Sequence, residues 1–417
     1  KGANDNKVFE GVFASELRGL AEKLTDRLLT DKEITHTVGE NINRNPIFAS
    51  AAHKKQEEKM IETGDALHGR QTKTVPEELI QVAIKNREAE LGNELSSEQQ
   101  AAITHLCSGP DIRILNGKAG TGKTTLLKAV AEAYEKSGYQ VIGTSFQGKA
   151  VEIMEQEIGI PCKTLDSFRC AWEKEEQQKE FMKRFQSCFP IQGGSRAYYY
   201  AYHRAKEFEP QRFTNKNVII VDEANMIGGH LWDVFLKEAT DKGAKVLIVQ
   251  DPAQIKSREP GDYGRLLAER FGFCETSEVV RQRIPWQREC SKLLNDYQVL
   301  DGLKPYYDKG HLKWFENSAQ VHQALAQDYV KDFIENPHKS RIALGYRNTE
   351  VYELNQVIRE GLKEHGYLQD SFKINGEDYA IGDQIRFLEN ENHGRYVQNF
   401  KTVKGQPKGV KNGTLGI

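Results

Sequence analysis

The residues best suited to chemistry lie at 115–125, which read LNGKAGTGKTT. Gly117, Gly122, Lys123 and Thr124 fit the spacing GxxxxGK[ST], with Gly120, Thr121 and Thr125 in the same turn. Glycines at these positions let backbone N–H groups turn inward and cradle phosphate oxygens. Lys123 then reaches the β- and γ-phosphates, and the Thr124 hydroxyl ligates Mg²⁺. The apolar run at 112–115 predicts a buried strand, and residues 124–136 predict a helix. The N-terminus of that helix points at the anion, where its dipole favours negative charge.

A second constellation follows at 218–223, VIIVDE. Four apolar residues predict a buried strand with two acids at its tip. Asp222 would hold Mg²⁺ through water and Glu223 would polarise an attacking water as general base. These acids are expected to meet the magnesium from the strand tip neighbouring the glycine turn. Gln254, in QDPAQ after a strand at 245–249, can touch a γ-phosphate and report its presence. Arg281, in VVRQR, is suited to an arginine finger; its other reading is a surface arginine clustered with Arg283. Gln99, in LSSEQQAA, could donate to and accept from an adenine edge, selecting ATP, or could simply open a helix behind a serine cap.

The elements that must position these residues follow from the wider pattern. At 417 residues the chain has room for about three domains. Its 58 basic and 60 acidic residues leave a net charge of −2, so nucleic-acid binding would need a local basic face. Six scattered cysteines form no CxxC pair, which argues against a zinc site or a disulfide framework and favours a reducing, cytoplasmic setting. The apolar runs are strand-length, too short to span a bilayer. From residue 95, strands expected at 112–116, 140–144, 217–221 and 245–249 alternate with helices, predicting an α/β fold with a parallel sheet covered on both faces. In such sheets, ligands sit beyond the carboxyl ends of the strands.

Before that core, residues 1–93 read as a mostly helical accessory or linker region, with helices expected at 54–67 and from Pro76 to Leu91. The first α/β domain is placed at 94–283, with an insertion at about 172–212. Within it, residues 183–206 interleave basic and aromatic side chains, Arg196, Tyr199 and Arg204 among them, without an acid. That pattern suits single-stranded nucleic acid, and equally the small core of an inserted subdomain. A helical connector is expected at 284–340. A strand at 342–345 and a helix at 350–364 would begin a second domain (341–368), followed by β-structure at 378–388 and 413–417 (369–417). The basic stretch from Asn392 reads as a solvated loop.

Taken in order, LSSEQQAA, GKAGTGKTT, SFQGKA, TLDSF, VDEA, QDPAQ and VVRQR resemble the superfamily-1 DNA helicases of the RecD-like branch. VDEANMIGG, VVRQRIPWQRE and GVKNGTLG are similar to the helicase part of the Ti-type conjugative transfer relaxases called TraA. The resemblance covers most of residues 95–417, and MIETGDAL at 60–67 is similar to the linker before the TraA motor. It implies a RecA-like P-loop NTPase fold that binds ATP and Mg²⁺ and moves 5′ to 3′ on single-stranded DNA. The relaxase module and other conjugation proteins follow as partners. By the same resemblance, Gln99 matches the adenine reader, Lys123 and Thr124 the phosphate-loop residues, and Asp222 and Glu223 the magnesium and water-activating pair. Gln254 matches the γ-phosphate sensor and Arg281 the motif arginine. Phe146, Gln147 and Thr164 fall in segments lining the DNA path, and the insertion occupies the interval of a duplex-splitting projection.

The sequence departs from that pattern in several places. Gln250 stands where these helicases have glycine, so a bulkier side chain is expected to shift Gln254. No clustered histidines resemble the nicking-metal site. The second lobe and its inserted β-barrel are matched only in part (RIALGYRNTEVYELN; GDQIRFLEN), and two later motifs are absent. The expectation is a truncated motor that binds nucleotide, hydrolyses ATP weakly and does not unwind processively. The alternative is a non-catalytic nucleotide- and DNA-binding remnant. A small-molecule kinase fits poorly, because such kinases lack the sensor glutamine and the RQR series. RNA in place of DNA stays open.

Overall fold

The structure is a computed structural model. It describes residues 23, 35–40, 46–188, 212–257, 259, 261–278, 282, 284–374, 377–386 and 415–416. The chain divides into two compact units, Lys1–Arg281 and Gln282–Ile417.

The first unit opens with an antiparallel pair, β1 (Thr35–Glu40) and β2 (Pro46–Ser50). The mostly helical reading of residues 1–93 does not include this pair: β-branched Thr35, Thr37 and Val38, then Ile47 and Phe48, favour the pleated ladder. The helices α1 (Ala51–His68), α2 (Glu77–Leu91) and α3 (Ser97–Cys107) follow. Ser50 caps α1 by accepting from the His53 N–H at 3.1 Å, and Pro76 stands immediately ahead of α2.

The core is then assembled from β3 (Ile112–Gly117), α4 (Lys123–Lys136), β4 (Gln140–Ser145), α5 (Gly148–Ile158), β5 (Cys162–Thr164), α6 (Leu165–Cys188), β6 (Asn217–Asp222), α7 (Gly229–Lys242), β7 (Lys245–Gln250), α8 (Tyr263–Phe271) and β8 (Cys274–Thr276). The six strands from β3 to β8 form one sheet in the order β5-β4-β6-β7-β3-β8, every pair parallel.

Period-two alternation sends neighbouring strand residues to opposite faces. Leu115, Val141, Val218, Ile220, Leu247 and Val249 join one core with α2, α3, α4 and α5. Ile112, Ile114, Ile142, Ile219, Val221, Val246 and Ile248 join the other with α1, α6, α7 and α8. Because both faces are covered, the strands read as unbroken apolar runs. Burial stabilises by about 1.5–3 kcal/mol for each fully enclosed Val, Leu or Ile. The early helices are part of this construction. Met60 and Leu67 of α1 enter one core, and Ile80, Ala83 and Ile84 of α2 enter the other.

The second unit contains α9 (Pro285–Asn295), α10 (Val299–Asp308), α11 (Ser318–Glu335) and α12 (Asn348–Glu364). A hairpin of β9 (Gln369–Ile374) and β10 (Glu377–Ile381) follows, then the short pair β11 (Ile385–Arg386) and β12 (Leu415–Gly416). Its core packs Ala326 and Val330 of α11 against Leu354, Ile358 and Leu362 of α12. The strand expected at 342–345 does not form. Ile342 and Leu344 are 78% and 77% exposed, and among the described residues no strand pairs with them, so their ladder groups are left to solvent.

Candidate functional site

The glycine turn joins β3 to α4. Gly120 and Gly122 hold φ of +84° and +78°, left-handed conformations that glycine adopts without a Cβ penalty. Gly122 is the N-cap of α4, so the first turn, with Lys123, Thr124 and Thr125, faces the loop with its unbonded N–H groups. The Lys123 Nζ donates to the Gly117 carbonyl at 2.8 Å, folded back across its own loop. A Cβ at Gly117 would lie 2.7 Å from Lys123 Cδ, so glycine is needed there for the lysine to lie down. Thr121, buried, donates its hydroxyl to the Lys118 carbonyl at 2.9 Å.

The acids arrive on β6. Strand β7 lies between β6 and β3, so the expected adjacency of the two tips is corrected: the acid strand is the second neighbour of the loop strand. Lys123 is nonetheless close enough to act on both carboxylates. Burial raises the Asp222 pKa above the ordinary carboxylate value, while Lys123 and the Glu223 N–H, donating to Asp222 Oδ1 at 2.9 Å, pull it back. Burial also raises Glu223, and Asp222 and Asp251 add like-charge repulsion that Lys123 opposes. Glu223 sits at φ 52°, ψ 43°, left-handed backbone that costs a non-glycine residue about 1 kcal/mol. Its Oε2 is buried with no hydrogen-bond partner. A strained, desolvated carboxylate with an unfilled acceptor beside a lysine is equipped to take a proton from a water brought to it.

The loop after β7 is laced to this turn. Asn225 Nδ2 donates to the carbonyls of Asp251 and Ile255, both at 3.2 Å. Nothing in its residue type had singled out Asn225. Gln254 Nε2 donates to Asp251 Oδ2 at 3.0 Å, which fixes the expected sensor amide against its own loop. Gln250, expected to push Gln254 aside, points under the loop instead. Its amide donates to Asn116 Oδ1 at 2.9 Å and to the Gly264 carbonyl at 3.1 Å. A Cβ on Gly264 would stand 2.0 Å from Gln250 Oε1, so α8 makes room for this side chain with a glycine.

The helix-start reading of Gln99 is met, and both ends of its amide are bonded within the protein. Its Oε1 accepts from the Ser96 N–H at 3.1 Å, completing a capping box, while its Nε2 donates to the Thr121 carbonyl at 3.0 Å. Phe146 is 45% exposed at the end of β4, and Gln147 Nε2 rests 3.5 Å from Met226 Sδ. The Thr164 hydroxyl lies at the start of α6, where it accepts from the Ser167 N–H at 3.2 Å. Arg281, Arg196, Tyr199 and Arg204 lie outside the described residues.

Among the described residues, no cluster of three or more His, Cys, Asp or Glu side chains could hold a metal unaided. The donors near the turn are the Thr124 hydroxyl and the Asp222 carboxylate. That set suits Mg²⁺, which takes one or two protein oxygens and fills its octahedron with water and phosphate. Among these residues, no helix is long and apolar enough to cross a membrane.

The sequence profile of an AAA-domain family matches residues 94–317. The probable conjugal transfer protein TraA of Sinorhizobium fredii is 32% identical over 301 residues, covering 71% of this chain and 24% of that protein. The conjugal transfer protein TraA of Rhizobium radiobacter is 30% identical over 326 residues, covering 77% of this chain and 25% of its own. The ATP-dependent RecD2 DNA helicase of Deinococcus radiodurans is 26% identical over 193 residues, covering 45% and 22%. The chain thus spans about a quarter of the length of these relatives.

Proposed function

As the chain belongs to this AAA-domain family, with conjugal transfer TraA proteins and a RecD2 helicase among its relatives, we propose that it is an ATP-hydrolysing DNA motor. The observation that supports this reading most is the convergence of Lys123, Asp222 and Glu223, with the Glu223 Oε2 buried and unpartnered.

The glycine turn and the first turn of α4 bind the phosphates through backbone N–H groups. Lys123 leaves the Gly117 carbonyl for the β- and γ-phosphates. Thr124 and Asp222 would hold Mg²⁺, which would supply neutralisation of charge developing on the phosphoryl oxygens. Glu223 orients the attacking water and accepts its proton, a task its raised pKa suits. Gln254 reads the γ-phosphate, Gln99 the base, and Arg281 stabilises the transition state. Single-stranded DNA runs past Phe146, Gln147, Thr164 and the basic–aromatic insertion, with translocation 5′ to 3′.

The test is steady-state ATP turnover with and without single-stranded DNA. The expected result is turnover stimulated by DNA and reduced at least about 100-fold in Lys123→Ala. Turnover that is absent, or indifferent to Lys123→Ala, would contradict the proposal and leave a binding remnant. Displacement of a strand from a forked duplex then reports whether the 417-residue chain unwinds.

A further inference from the structure

Glu98, one residue before the base-reading glutamine, has no role in the reaction described above, yet its carboxylate is among the most heavily bonded at this end of the sheet. Its Oε2 accepts from the Ser277 N–H at 2.7 Å and the Glu278 N–H at 3.0 Å, and its Oε1 from the Ser277 hydroxyl at 2.8 Å. These donors lie immediately after β8, where the chain leaves the sheet. Burial works to raise the Glu98 pKa, but the Glu278 and Ser277 donors outweigh it and hold the group below its ordinary value.

The bonds close a circuit. Gln99 Nε2 reaches the Thr121 carbonyl in the phosphate loop at 3.0 Å. The Thr121 hydroxyl meets the Thr276 hydroxyl at 3.1 Å, and the Lys118 N–H donates to the Thr276 carbonyl at 3.1 Å. Thr276 is bonded covalently to Ser277, Ser277 is held by Glu98, and Glu98 is the chain neighbour of Gln99. The first turn of α3, the phosphate loop and the exit of β8 therefore form one ring of short contacts. A carboxylate suits this corner best: two backbone N–H groups share Oε2 while Oε1 takes the Ser277 hydroxyl, and an amide keeps these contacts only with that hydroxyl turned to accept and with the charge that strengthens the two N–H bonds lost.

The loop has reason to move when nucleotide arrives, because Lys123 must give up the Gly117 carbonyl to reach phosphate. We propose that Glu98 is a positioning residue that couples nucleotide occupancy of the phosphate loop to the chain leaving β8, which runs on to Arg281 and the second unit. This rests on the ATP-motor reading and adds to it a route from the phosphate loop to that exit. Thr276 takes up a displacement of Thr121 or Lys118, and Glu98 holds Ser277 and Glu278 so that the displacement continues along the chain rather than dissipating.

The experiment compares wild type, Glu98→Gln and Glu98→Asp in the full chain. One readout is affinity for a fluorescent non-hydrolysable ATP analogue. The second is trypsin cleavage after Arg281 and Arg283 with and without that analogue, and the third is DNA-stimulated kcat. Wild type should change its cleavage rate at least about fivefold on binding analogue. Glu98→Gln should lose that change and at least about tenfold in kcat while keeping analogue affinity within about threefold, with Glu98→Asp between them. A wild type that binds analogue with unchanged cleavage would overturn the coupling and leave the ATP reading intact. So would a Glu98→Gln that keeps the nucleotide response, or one whose affinity and melting temperature fall together with kcat. Failure of wild type to bind analogue at all would instead overturn the motor reading.

Discussion

The two ends of the six-stranded sheet both bury charge, and they differ in how fully its hydrogen bonds are made within the protein. At the amino ends of β3 and β7, Asp111 accepts from the Thr72 N–H at 3.1 Å and the Thr72 hydroxyl at 2.6 Å, and pairs with Lys73 at 3.6 Å. Lys73 also donates to the Gly243 carbonyl at 2.6 Å. Lys245 donates to the carbonyls of Lys73, Ser108 and Gly109 at 2.9, 3.3 and 3.3 Å. These charges are bonded within the protein, although burial lowers the Lys73 and Lys245 pKa values and Arg70 Nε and Nη2, His105 Nε2 and Thr240 Oγ1 lack partners. At the carboxyl ends, Glu223 Oε2, Thr144 Oγ1, Ser145 Oγ and Gln250 Oε1 are all buried without partners, and both acids are pushed toward protonation. Salt-bridged and hydrogen-bonded groups hold elements in place, whereas the unfilled acceptor of Glu223 beside Lys123 and the glycine turn is where a ligand would complete the structure.

Substitutions at the two ends should therefore fail in different ways. At the carboxyl end, Glu223→Gln removes a base and a like charge. Turnover should fall at least about 100-fold, with analogue affinity within about threefold and thermal stability equal or higher. A loss of stability in this variant would blur the distinction between the ends. At the amino end, Asp111→Asn leaves two buried lysines facing a neutral amide. Denaturant unfolding should show a loss of about 3–5 kcal/mol, with analogue affinity unchanged in the folded protein. Retention of stability there would show that the network is not structural.

The smallest effect is on pH. Burial lowers the Lys245 pKa from 10.5 to about 8. The folded state therefore sheds this proton before the unfolded chain does, and the unfavourable contribution of the charged amine is relieved as pH rises from about 8 to about 10.4. Relative to Lys245→Met, wild type should gain stability across that window, by no more than about 1.4 kcal/mol per pH unit. An identical pH profile for the two proteins would remove Lys245 from the account.

The same contrast governs what could be read from sequence. Strands expected to end at 116, 144, 221 and 249 each run one residue further, to Gly117, Ser145, Asp222 and Gln250. Apolar patterning finds a strand by its buried faces, and these last residues, one glycine and three polar side chains, carry no apolar signal. The phosphate loop and the acids were legible because their chemistry fixes residue types at fixed spacing. Glu98, Asn225 and the Thr121–Thr276 contact were not, because their partners are set by sheet order rather than by neighbours in sequence. The same holds for α1 and α2, whose apolar faces say that they pack but not against what. At 342–345 the failure runs the other way: the local pattern is strand-like, but the described residues offer no partner strand to bond it.

Whether the glycine turn and Asp222 together clasp a magnesium-bound triphosphate is decided by titrating a fluorescent ATP analogue with and without Mg²⁺ in wild type, Lys123→Ala and Asp222→Asn. The expected result is saturable binding that Mg²⁺ tightens at least about tenfold in wild type, a magnesium effect lost in Asp222→Asn, and binding lost in Lys123→Ala. Analogue uptake that is absent, or indifferent to magnesium and to both substitutions, would contradict it.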